Sequence, residues 1–443
     1  MKVVVIGGVA AGMSAASKLK RLNKETEIVV FEKGSDLSYG ACGMPYYISD
    51  MIKDDEALIA KHAKDFEAAG IRIFLKHEVT AVKPNEYKVQ VYDEKSGETF
   101  DESYDKLIIG SGASAIRLNV EGKDLKAIHT LNSLQDARTL KAKLDDYETI
   151  AVIGAGFIGV EVAEQLAEIG KKVLIIEREQ QVMPQFDAPI SDHALHALEE
   201  LGINVALGET VKGYKGEGAV EMVETDHDTY AVDAVIEAIG VLPNTSFLKD
   251  SGIKMLDNGA VITNEKMETN LKDIYAAGDC ASYIHRLKQS QAYIPLGTHA
   301  NKAGRVIAEQ IAGNNLTFHG VIGSTVLKVA NLEMAKTGLT VKEAEIESID
   351  IEYVDVKARN QAGYYPGATP IHMRITYDPR TCKLLGAQMI GEQGVASRIN
   401  IIATAIMQGL TAEMFSNLDL AYAPPFSPVW DPLQIATNQI KCK

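Results

Sequence analysis

The same strand, glycine-rich turn and helix pattern occurs twice in the chain. The first copy, VVVIGGVAAGMSAASKL, runs over 3–19, and the second, IAVIGAGFIGVEVAEQL, over 150–166. Each opens on the continuous apolar run of a buried parallel strand and then takes helical periodicity. A second apolar strand follows each copy and ends in an acid, Glu32 or Glu177. This repeat predicts an α/β protein with two related, parallel-sheet domains.

Each part of the pattern suits one part of a dinucleotide. Glycines let the turn close and the backbone approach a pyrophosphate, while the helix N-terminus offers free N–H groups to the phosphates. The acid about 20 residues later can accept hydrogen bonds from a ribose. Two copies, each with its acid, therefore predict two dinucleotide sites. The second turn has all three glycines, whereas Val9 stands at the middle position of the first.

A third signal is the segment TNLKDIYAAGDC at 269–280, where a short strand ends in Gly278 and Asp279. It is similar to the strand that returns to the first domain in flavoproteins with two dinucleotide sites, and this resemblance implies that Asp279 holds the ribityl chain of FAD. The segments YDKLIIGSG (104–112) and VIEAIGVLPNT (235–245) resemble the strands that leave the FAD and NAD(P)H domains of that family.

The resemblance implies a fold of two Rossmann-like domains, one for FAD and one for NAD(P)H, followed by a C-terminal α+β dimerisation domain. The expected boundaries are 1–112 and 247–322 for the FAD domain, 113–246 for the NAD(P)H domain and 323–443 for the dimerisation domain.

Composition excludes several other classes of protein. The formal net charge of −15 argues against a nucleic-acid partner, which requires a basic face. No apolar run reaches the roughly 18 residues that span a membrane, and MKVVVIGG has neither the length nor the cleavage site of a signal peptide. We therefore expect a cytoplasmic protein without a membrane partner.

The cysteines are few and scattered. No two of Cys42, Cys280, Cys382 and Cys442 are closer than 60 residues, so the sequence predicts neither a disulfide framework nor a metal site. Cys280 is expected to be packed, Cys382 to lie in a turn and Cys442 to lie in a mobile tail.

Cys42 lies in the segment SYGACGMPYYISDMI (38–52), a few residues after the strand that ends in Glu32. Pro45 favours a helix start just after it, and the positive end of a helix lowers the pKa of a nearby thiol. An inert buried cysteine is the alternative, but the location beside a predicted flavin favours a redox-active one. Because no second cysteine is near in sequence, Cys42 would alternate between the thiol and either a sulfenic acid or a mixed disulfide with a small thiol.

Two tyrosine-containing loops add to the site. The segments SYGACGMPYYI, AGYYPGATP, AYAPPFSPVWDP and PLGTHANKAGR together resemble the coenzyme A disulfide reductase family, over essentially the whole chain. The resemblance implies that Cys42 holds CoA as a mixed disulfide and that NAD(P)H supplies electrons through FAD. It also implies that Tyr364 and Tyr422, from the partner subunit of a homodimer, assist as proton donors, since no histidine follows His372.

The residues expected to bind each ligand form three sets. For FAD they are Gly7, Ala10, Ala11, Gly12, Glu32, Lys33, Val79, Ser111, Gly112, Asp279, Leu296, Gly297, Thr298 and Phe426. For NAD(P)H they are Gly154, Gly156, Phe157, Ile158, Gly159, Glu177 and Gly240. For CoA they are Ser14, Lys18, Arg21, Ser38, Asn301, Arg305 and, from the partner subunit, Trp430.

Some choices stay open on the sequence alone. Glu177 favours NADH because a carboxylate repels a 2′-phosphate, although the adjacent Arg178 could accommodate one. A CoA-dependent polysulfide or persulfide reductase and a water-forming NADH oxidase share the single cysteine. An NADH peroxidase is disfavoured, since no histidine stands in the first glycine turn, and a redox sensor would have little use for two dinucleotide sites.

Overall fold

The computed structural model describes residues 1–442. The strands are β1 (Lys2–Ile6), β2 (Glu27–Glu32), β3 (Ile71–Leu75), β4 (His77–Lys83), β5 (Lys88–Asp93), β6 (Thr99–Ser103), β7 (Lys106–Ile109), β8 (Ala113–Ala115), β9 (Ile128–Thr130), β10 (Thr149–Ile153), β11 (Lys172–Glu177), β12 (Asn204–Leu207), β13 (Val211–Lys215), β14 (Met222–Thr225), β15 (Thr229–Ala231), β16 (Ala234–Glu237), β17 (Val241–Pro243), β18 (Ile274–Ala276), β19 (Tyr283–His285), β20 (Ser290–Ala292), β21 (Thr325–Val329), β22 (Leu332–Gly338), β23 (Glu352–Arg359), β24 (Pro370–Tyr377) and β25 (Leu384–Gly391). The helices are α1 (Ala10–Leu22), α2 (Met44–Ile48), α3 (Ala63–Ala68), α4 (Leu134–Lys141), α5 (Phe157–Glu168), α6 (Ala188–Glu200), α7 (Gly297–Ile311), α8 (Val341–Ile346), α9 (Val395–Gln408), α10 (Ala412–Ser416) and α11 (Pro432–Thr437).

These elements form two compact units. The first comprises Met1–Ile116, Asn132–Arg138 and Val241–Val321, and the second comprises Arg117–Leu131, Thr139–Gly240 and Ile322–Lys443. The three-domain boundaries expected from the sequence stay a prediction.

The first unit is built on a five-stranded parallel sheet in the order β18-β7-β1-β2-β3. Side chains alternate across β1: Val3 and Val5 pack with α1 and α7, while Val4 and Ile6 pack toward the antiparallel sheet β4-β5-β6. Both faces of β1 are therefore covered, which explains its uninterrupted apolar sequence. Helices α1 and α7 approach each other closely at Gly304. A Cβ atom at this position would overlap the carbonyl oxygen of Ala11, so the close contact requires glycine.

The second unit repeats this design. Its parallel sheet has the order β12-β11-β10-β16-β9, so β10 takes the central position that β1 has in the first unit. The two predicted parallel domains and their glycine turns are thus confirmed as equivalent βαβ units. An antiparallel sheet in the order β21-β22-β25-β24-β23 belongs to the same unit and contacts helix α9.

Within residues 1–442, none of the helices combines the length and the apolar character needed to cross a bilayer.

Candidate active site

The first glycine turn joins β1 to α1, and its backbone packs too tightly to leave room for a side chain at Gly7 or Gly12. Gly7 has a φ of +97°, and a Cβ atom there would overlap the carbonyl oxygen of Gly110. A Cβ atom at Gly12 would overlap the carbonyl oxygen of Gly7. Val9 is the N-cap of α1 with a φ of −106°, which is outside the left-handed region that favours glycine. The turn therefore tolerates valine where the dinucleotide pattern usually has glycine.

The acids at the ends of β2 and β11 make the same contacts in both units. Glu32 Oε2 accepts a 2.6 Å hydrogen bond from Gly8 N, and Oε1 accepts a bond from Gly34 N. Glu177 Oε2 accepts a 2.6 Å bond from Ala155 N, and Oε1 accepts a bond from Glu179 N. Each carboxylate thus braces its glycine turn and keeps further lone pairs for a ribose. Burial raises the pKa of Glu32, although the two backbone donors lower it.

The remaining FAD candidates lie in the first unit except Phe426. Leu296 is the N-cap of α7, so Gly297 and Thr298 present that helix's N-terminus, and Ala10 and Ala11 present that of α1. The carboxyl group of Asp279 makes no hydrogen bond or ion pair with residues 1–442, and burial raises its pKa. The other candidates have established contacts: Lys33 Nζ pairs with Glu78, Val79 is buried in the core, Ser111 donates to the carbonyl oxygen of Asn244, and Gly112 has a φ of +69°.

Cys42 lies in a single 3-10 turn, Ala41–Gly43, immediately before the short helix α2. Its side chain is exposed. The preceding chain is tied to the first glycine turn, because Ser38 N donates to the carbonyl oxygen of Gly8 at 2.9 Å. A Cβ atom at Gly43 would overlap the side chain of Leu58, so glycine allows the turn to pack. The fold thus carries the thiol on a segment anchored to the predicted FAD turn.

The CoA candidates on α1 and α7 come together on one surface. Ser14 Oγ donates to Asn301 Oδ1 at 2.6 Å, and Lys18 Nζ pairs with Glu309 at 2.8 Å. Arg21 and Arg305 are both exposed. Lys18 is therefore partly neutralised by Glu309, whereas Arg21 and Arg305 present exposed guanidinium groups.

The two predicted catalytic tyrosines are in direct contact in the second unit. The hydroxyl groups of Tyr364 and Tyr422 are 3.0 Å apart, and the side chains are 76% and 45% exposed. The hydrogen bond with Tyr364 raises the pKa of Tyr422. Their loops are joined by a bond from Ala362 N to the carbonyl oxygen of Pro424. A phenol pair of this kind can hold and donate a proton at neutral pH.

The segments that carry this pair hold further exposed aromatic side chains. Together with the pair, we call them the aromatic patch: Tyr364, Tyr365, Tyr422, Phe426 and Trp430, each at least 40% exposed. Large aromatic side chains left exposed on neighbouring loops favour an interaction site. Buried Arg398 fixes the patch from below, since it bonds to Asp431 and to the carbonyl oxygens of Asn360 and Phe426.

The second glycine turn, between β10 and α5, likewise leaves no room for a side chain at Gly154 or Gly159. Gly154 has a φ of +100°, and a Cβ atom there would lie 2.7 Å from the carbonyl oxygen of Ala238. A Cβ atom at Gly159 would overlap the carbonyl oxygen of Gly154. The other candidates border this turn: Gly156 is the N-cap of α5, Phe157 and the exposed Ile158 begin that helix, and Gly240 follows β16 with a φ of +112°.

Comparison with known proteins identifies the family. Residues 1–304 match the family described as pyridine nucleotide-disulphide oxidoreductase, and residues 325–432 match its dimerisation domain. The chain belongs to this family. The two Rossmann-like domains, the dimerisation domain and the oxidoreductase activity predicted from the sequence are therefore confirmed.

Three individual proteins illustrate the similarity. The chain is 38% identical to an NAD(P)H coenzyme A polysulfide/persulfide reductase of Pyrococcus horikoshii, covering 99% of this chain and 98% of the relative. It is 35% identical to the coenzyme A disulfide reductase of Staphylococcus aureus, covering 96% of each. Among solved structures, reduced CoADR-RHD of Bacillus anthracis superposes with a TM-score of 0.96 at 34% identity, covering 99% of this chain and 79% of that one.

Pyridine nucleotide-disulphide oxidoreductases use FAD and NAD(P)H, and the residues of this chain fit both cofactors. Backbone overlap excludes side chains from Gly7 and Gly12, which leaves bare N–H groups at a helix start. Asp279 offers a carboxylate without a protein partner among residues 1–442, as a ribityl hydroxyl would need.

The sequence analysis did not single out Glu161, a carboxyl group with a strongly shifted pKa. It lies in the first turns of α5, two residues after Gly159. Burial raises its pKa to about 7, with a further contribution from Glu164. The available signal was a pair of acids, Glu161 and Glu164, within the mainly apolar first part of the helix.

The expectation of a mobile tail without a disulfide was wrong. Cys382, in the turn between β24 and β25, forms a disulfide bond with Cys442. The Cα atoms are 5.7 Å apart although the residues are 60 apart in sequence. Their spacing in sequence does not reveal this pairing, because it depends on where the tertiary fold places the two segments. Cys280 is fully buried, as predicted.

Proposed function

We propose that this oxidoreductase reduces coenzyme A disulfide to two molecules of CoA at the expense of NAD(P)H. In the first half, the Cys42 thiolate attacks one sulfur of the disulfide, forms a Cys42–CoA mixed disulfide and expels CoA as a thiolate, which takes up a proton. In the second half, two electrons and a proton from NAD(P)H, with one further proton, cleave the mixed disulfide to CoA and the Cys42 thiol. FAD, when bound, relays the electron pair between NAD(P)H and sulfur.

The observation that carries the proposal is the state of the other three cysteines. Cys280 is fully buried beneath the parallel sheet, and Cys382 and Cys442 are bonded to each other. None of these three cysteines is therefore an accessible thiol that could form an internal disulfide with Cys42. An exposed redox cysteine of this kind needs an external small thiol as its second half.

The basic surface on α1 and α7 supports CoA as that thiol. CoA carries a pyrophosphate and a 3′-phosphate, and Arg21 and Arg305 present exposed guanidinium groups. Ser14 and Asn301 add hydrogen-bonding groups beside them. Ser38 belongs to the anchored segment that carries Cys42.

The tyrosine pair supplies the proton in this scheme. We infer a homodimer in which Tyr364 and Tyr422 of the partner subunit protonate the departing CoA thiolate, with Trp430 of the partner subunit against CoA. The exposed aromatic patch and the presence of a dimerisation domain support this arrangement. We favour NADH over NADPH because Glu177 places a carboxylate at the second turn, with Arg178 leaving dual use open. A cytoplasmic location belongs to the same proposal.

A matched pair of variants tests the function. Purified protein is assayed for NADH and NADPH oxidation with CoA disulfide, polysulfide, oxygen and peroxide, and unreduced protein is examined by mass spectrometry for CoA on Cys42. Cys42→Ser should abolish disulfide reduction and the adduct, whereas the matched control Cys382→Ser/Cys442→Ser should retain both. Fast oxygen turnover without an adduct would contradict the CoA assignment, and full disulfide reduction by Cys42→Ser would contradict the mechanism.

A second candidate is a CoA-dependent polysulfide or persulfide reductase. It is favoured by the 38% identity with the Pyrococcus horikoshii protein of that name. The same Cys42–CoA group would then transfer electrons to a sulfur chain. A higher kcat/KM with polysulfide than with CoA disulfide in the assays above would select this candidate.

A further inference from the structure

A row of polar side chains crosses the antiparallel sheet of the second unit. Lys336 on β22 is opposite Gln388 on β25, which is opposite Arg374 on β24. These three side chains are 7%, 1% and 7% exposed. Buried charges and amides in an otherwise apolar sheet are costly unless they are paired, so their partners indicate what the row does.

Two of the four partner residues, Gln185 and Asp187, lie in the loop after β11, over residues 178–187; the other two are Asp355, which pairs with Arg374, and Glu343, which pairs with Lys336. Gln388 forms a double contact with Asp187: Asp187 N donates to Gln388 Oε1, and Gln388 Nε2 donates to Asp187 Oδ2, both at 2.6 Å. Arg374 Nη1 donates to the same Asp187 oxygen at 3.2 Å. Lys336 Nζ donates to the carbonyl oxygen of Gln185 at 3.1 Å. The row therefore binds the end of this loop at two residues, Gln185 and Asp187.

The other side of the loop contacts the second glycine turn. Met183 N donates to the carbonyl oxygen of Ala155 at 2.8 Å, and Met183 is held at a φ of +48°. The amide nitrogen of Gln185 lies 3.4 Å from the position that a Cβ atom at Gly156 would occupy. Gln185 is exposed, so its amide is available to a ligand at the start of α5. In a dinucleotide turn the pyrophosphate binds at the start of this helix, so a side-chain N–H at this location is within reach of it.

We propose that Gln185 binds the pyrophosphate of NAD(P)H and that Lys336, Gln388 and Arg374 are positioning residues that hold it there. The sheet of the dimerisation domain then helps to build the nicotinamide nucleotide site. This inference rests on the family's use of NAD(P)H and is independent of whether CoA is the substrate.

The test measures binding rather than turnover. Titration calorimetry of the FAD-containing protein with NAD⁺ and with ADP-ribose gives Kd without a reaction. Gln185→Ala should weaken both ligands by about tenfold, as expected for one lost hydrogen bond to a charged group. Lys336→Met and Gln388→Met should each weaken binding by roughly threefold to tenfold, because they release the loop without touching the ligand. Tyr377→Phe, on the same sheet but bonded to Glu352, should leave Kd unchanged.

A double-mutant cycle separates positioning from general destabilisation. In the Gln185→Ala background, Lys336→Met should cause no further loss of affinity, since the residue that it positions is gone. Unchanged Kd values in Gln185→Ala would overturn the proposal. Additive losses in the double variant, or a loss of thermal stability in Lys336→Met with a normal Kd, would reduce the row to a structural role. Formation of the Cys42–CoA adduct is recorded in parallel. If the unmodified protein forms no adduct, that result counts against the proposed function but not against the role of Gln185.

Discussion

The hydroxyl groups of Tyr364 and Tyr422 lie 3.0 Å apart, although the residues are 58 positions apart in the chain. Each comes from a loop that Arg398 and Asp431 anchor beneath the aromatic patch. One phenol can therefore donate a hydrogen bond to the other. This contact joins two tyrosines from separate loops into one hydrogen-bonded pair.

The first prediction concerns the acidity of this pair. The hydrogen bond with Tyr364 raises the pKa of Tyr422, so its phenol should lose its proton at a higher pH than an ordinary tyrosine does. Tyr364→Phe removes the bond and should lower the pKa of Tyr422 toward its ordinary value. Carbon-13 NMR of labelled tyrosine, followed through alkaline pH, measures this shift. Tyr365→Phe is the control, and an unchanged Tyr422 titration in Tyr364→Phe would contradict the pairing.

The same pair should matter for turnover. Tyr422→Phe should lower kcat for CoA disulfide by at least about tenfold, since positioned acids contribute roughly 10²–10⁴-fold. KM should change less, because the phenol acts on the departing thiolate. Steady-state kinetics with Tyr365→Phe as the reference checks this, and wild-type kcat in both Tyr422→Phe and Tyr364→Phe would remove the tyrosines from the mechanism.

The third prediction concerns flavin retention. Gly7→Ala puts a methyl group into the carbonyl oxygen of Gly110 at a φ of +97°, so the turn must open. The purified variant should contain far less FAD per chain, measured as the ratio of flavin to protein absorbance. Gly40→Ala is the control, because its φ is −88° and its nearest neighbour, the carbonyl oxygen of Leu58, would be 3.8 Å away. Equal FAD content in the two variants would argue against this turn as the flavin site.

The fourth prediction concerns the tail. The Cys382–Cys442 disulfide closes a long loop, and its loss should cost about 2–4 kcal/mol of unfolding free energy. Cys442→Ser should therefore unfold at lower denaturant concentration than the unmodified protein while turnover persists. Thiol counting supports the assignment: unfolded, unreduced Cys42→Ser protein should expose Cys280 as its one reactive thiol. Three reactive thiols would show that the bond is absent.

The fifth prediction is a pH dependence at Glu161. Burial raises its pKa to about 7, so the folded protein binds this proton more tightly than the unfolded chain does. The associated stability is present at pH below 4.5 and is lost as the pH rises toward 7. Glu161→Gln should therefore raise Tm at pH 8 and change it little at pH 4. Thermal unfolding at both values measures this, and equal Tm shifts at the two pH values would contradict the titration.

The sequence by itself determined the two glycine turns and their acids, and it predicted Cys42 at a helix start as the redox cysteine. These features depend on local backbone dihedrals, on helix termini and on short spacing, which a run of 20 to 30 residues encodes. The resemblance of four short segments extended this to the tyrosines and to CoA.

Only the tertiary structure decided the contacts between distant segments. Asp187 and Gln388 are 201 residues apart, Tyr364 and Tyr422 are 58 apart, and the tail disulfide joins a turn to the chain end. Strand order and register bring these groups together, and neither follows from local pattern. The raised pKa of Glu161 also depends on the tertiary structure. Desolvation is set by everything packed around a carboxyl group rather than by its neighbours in sequence.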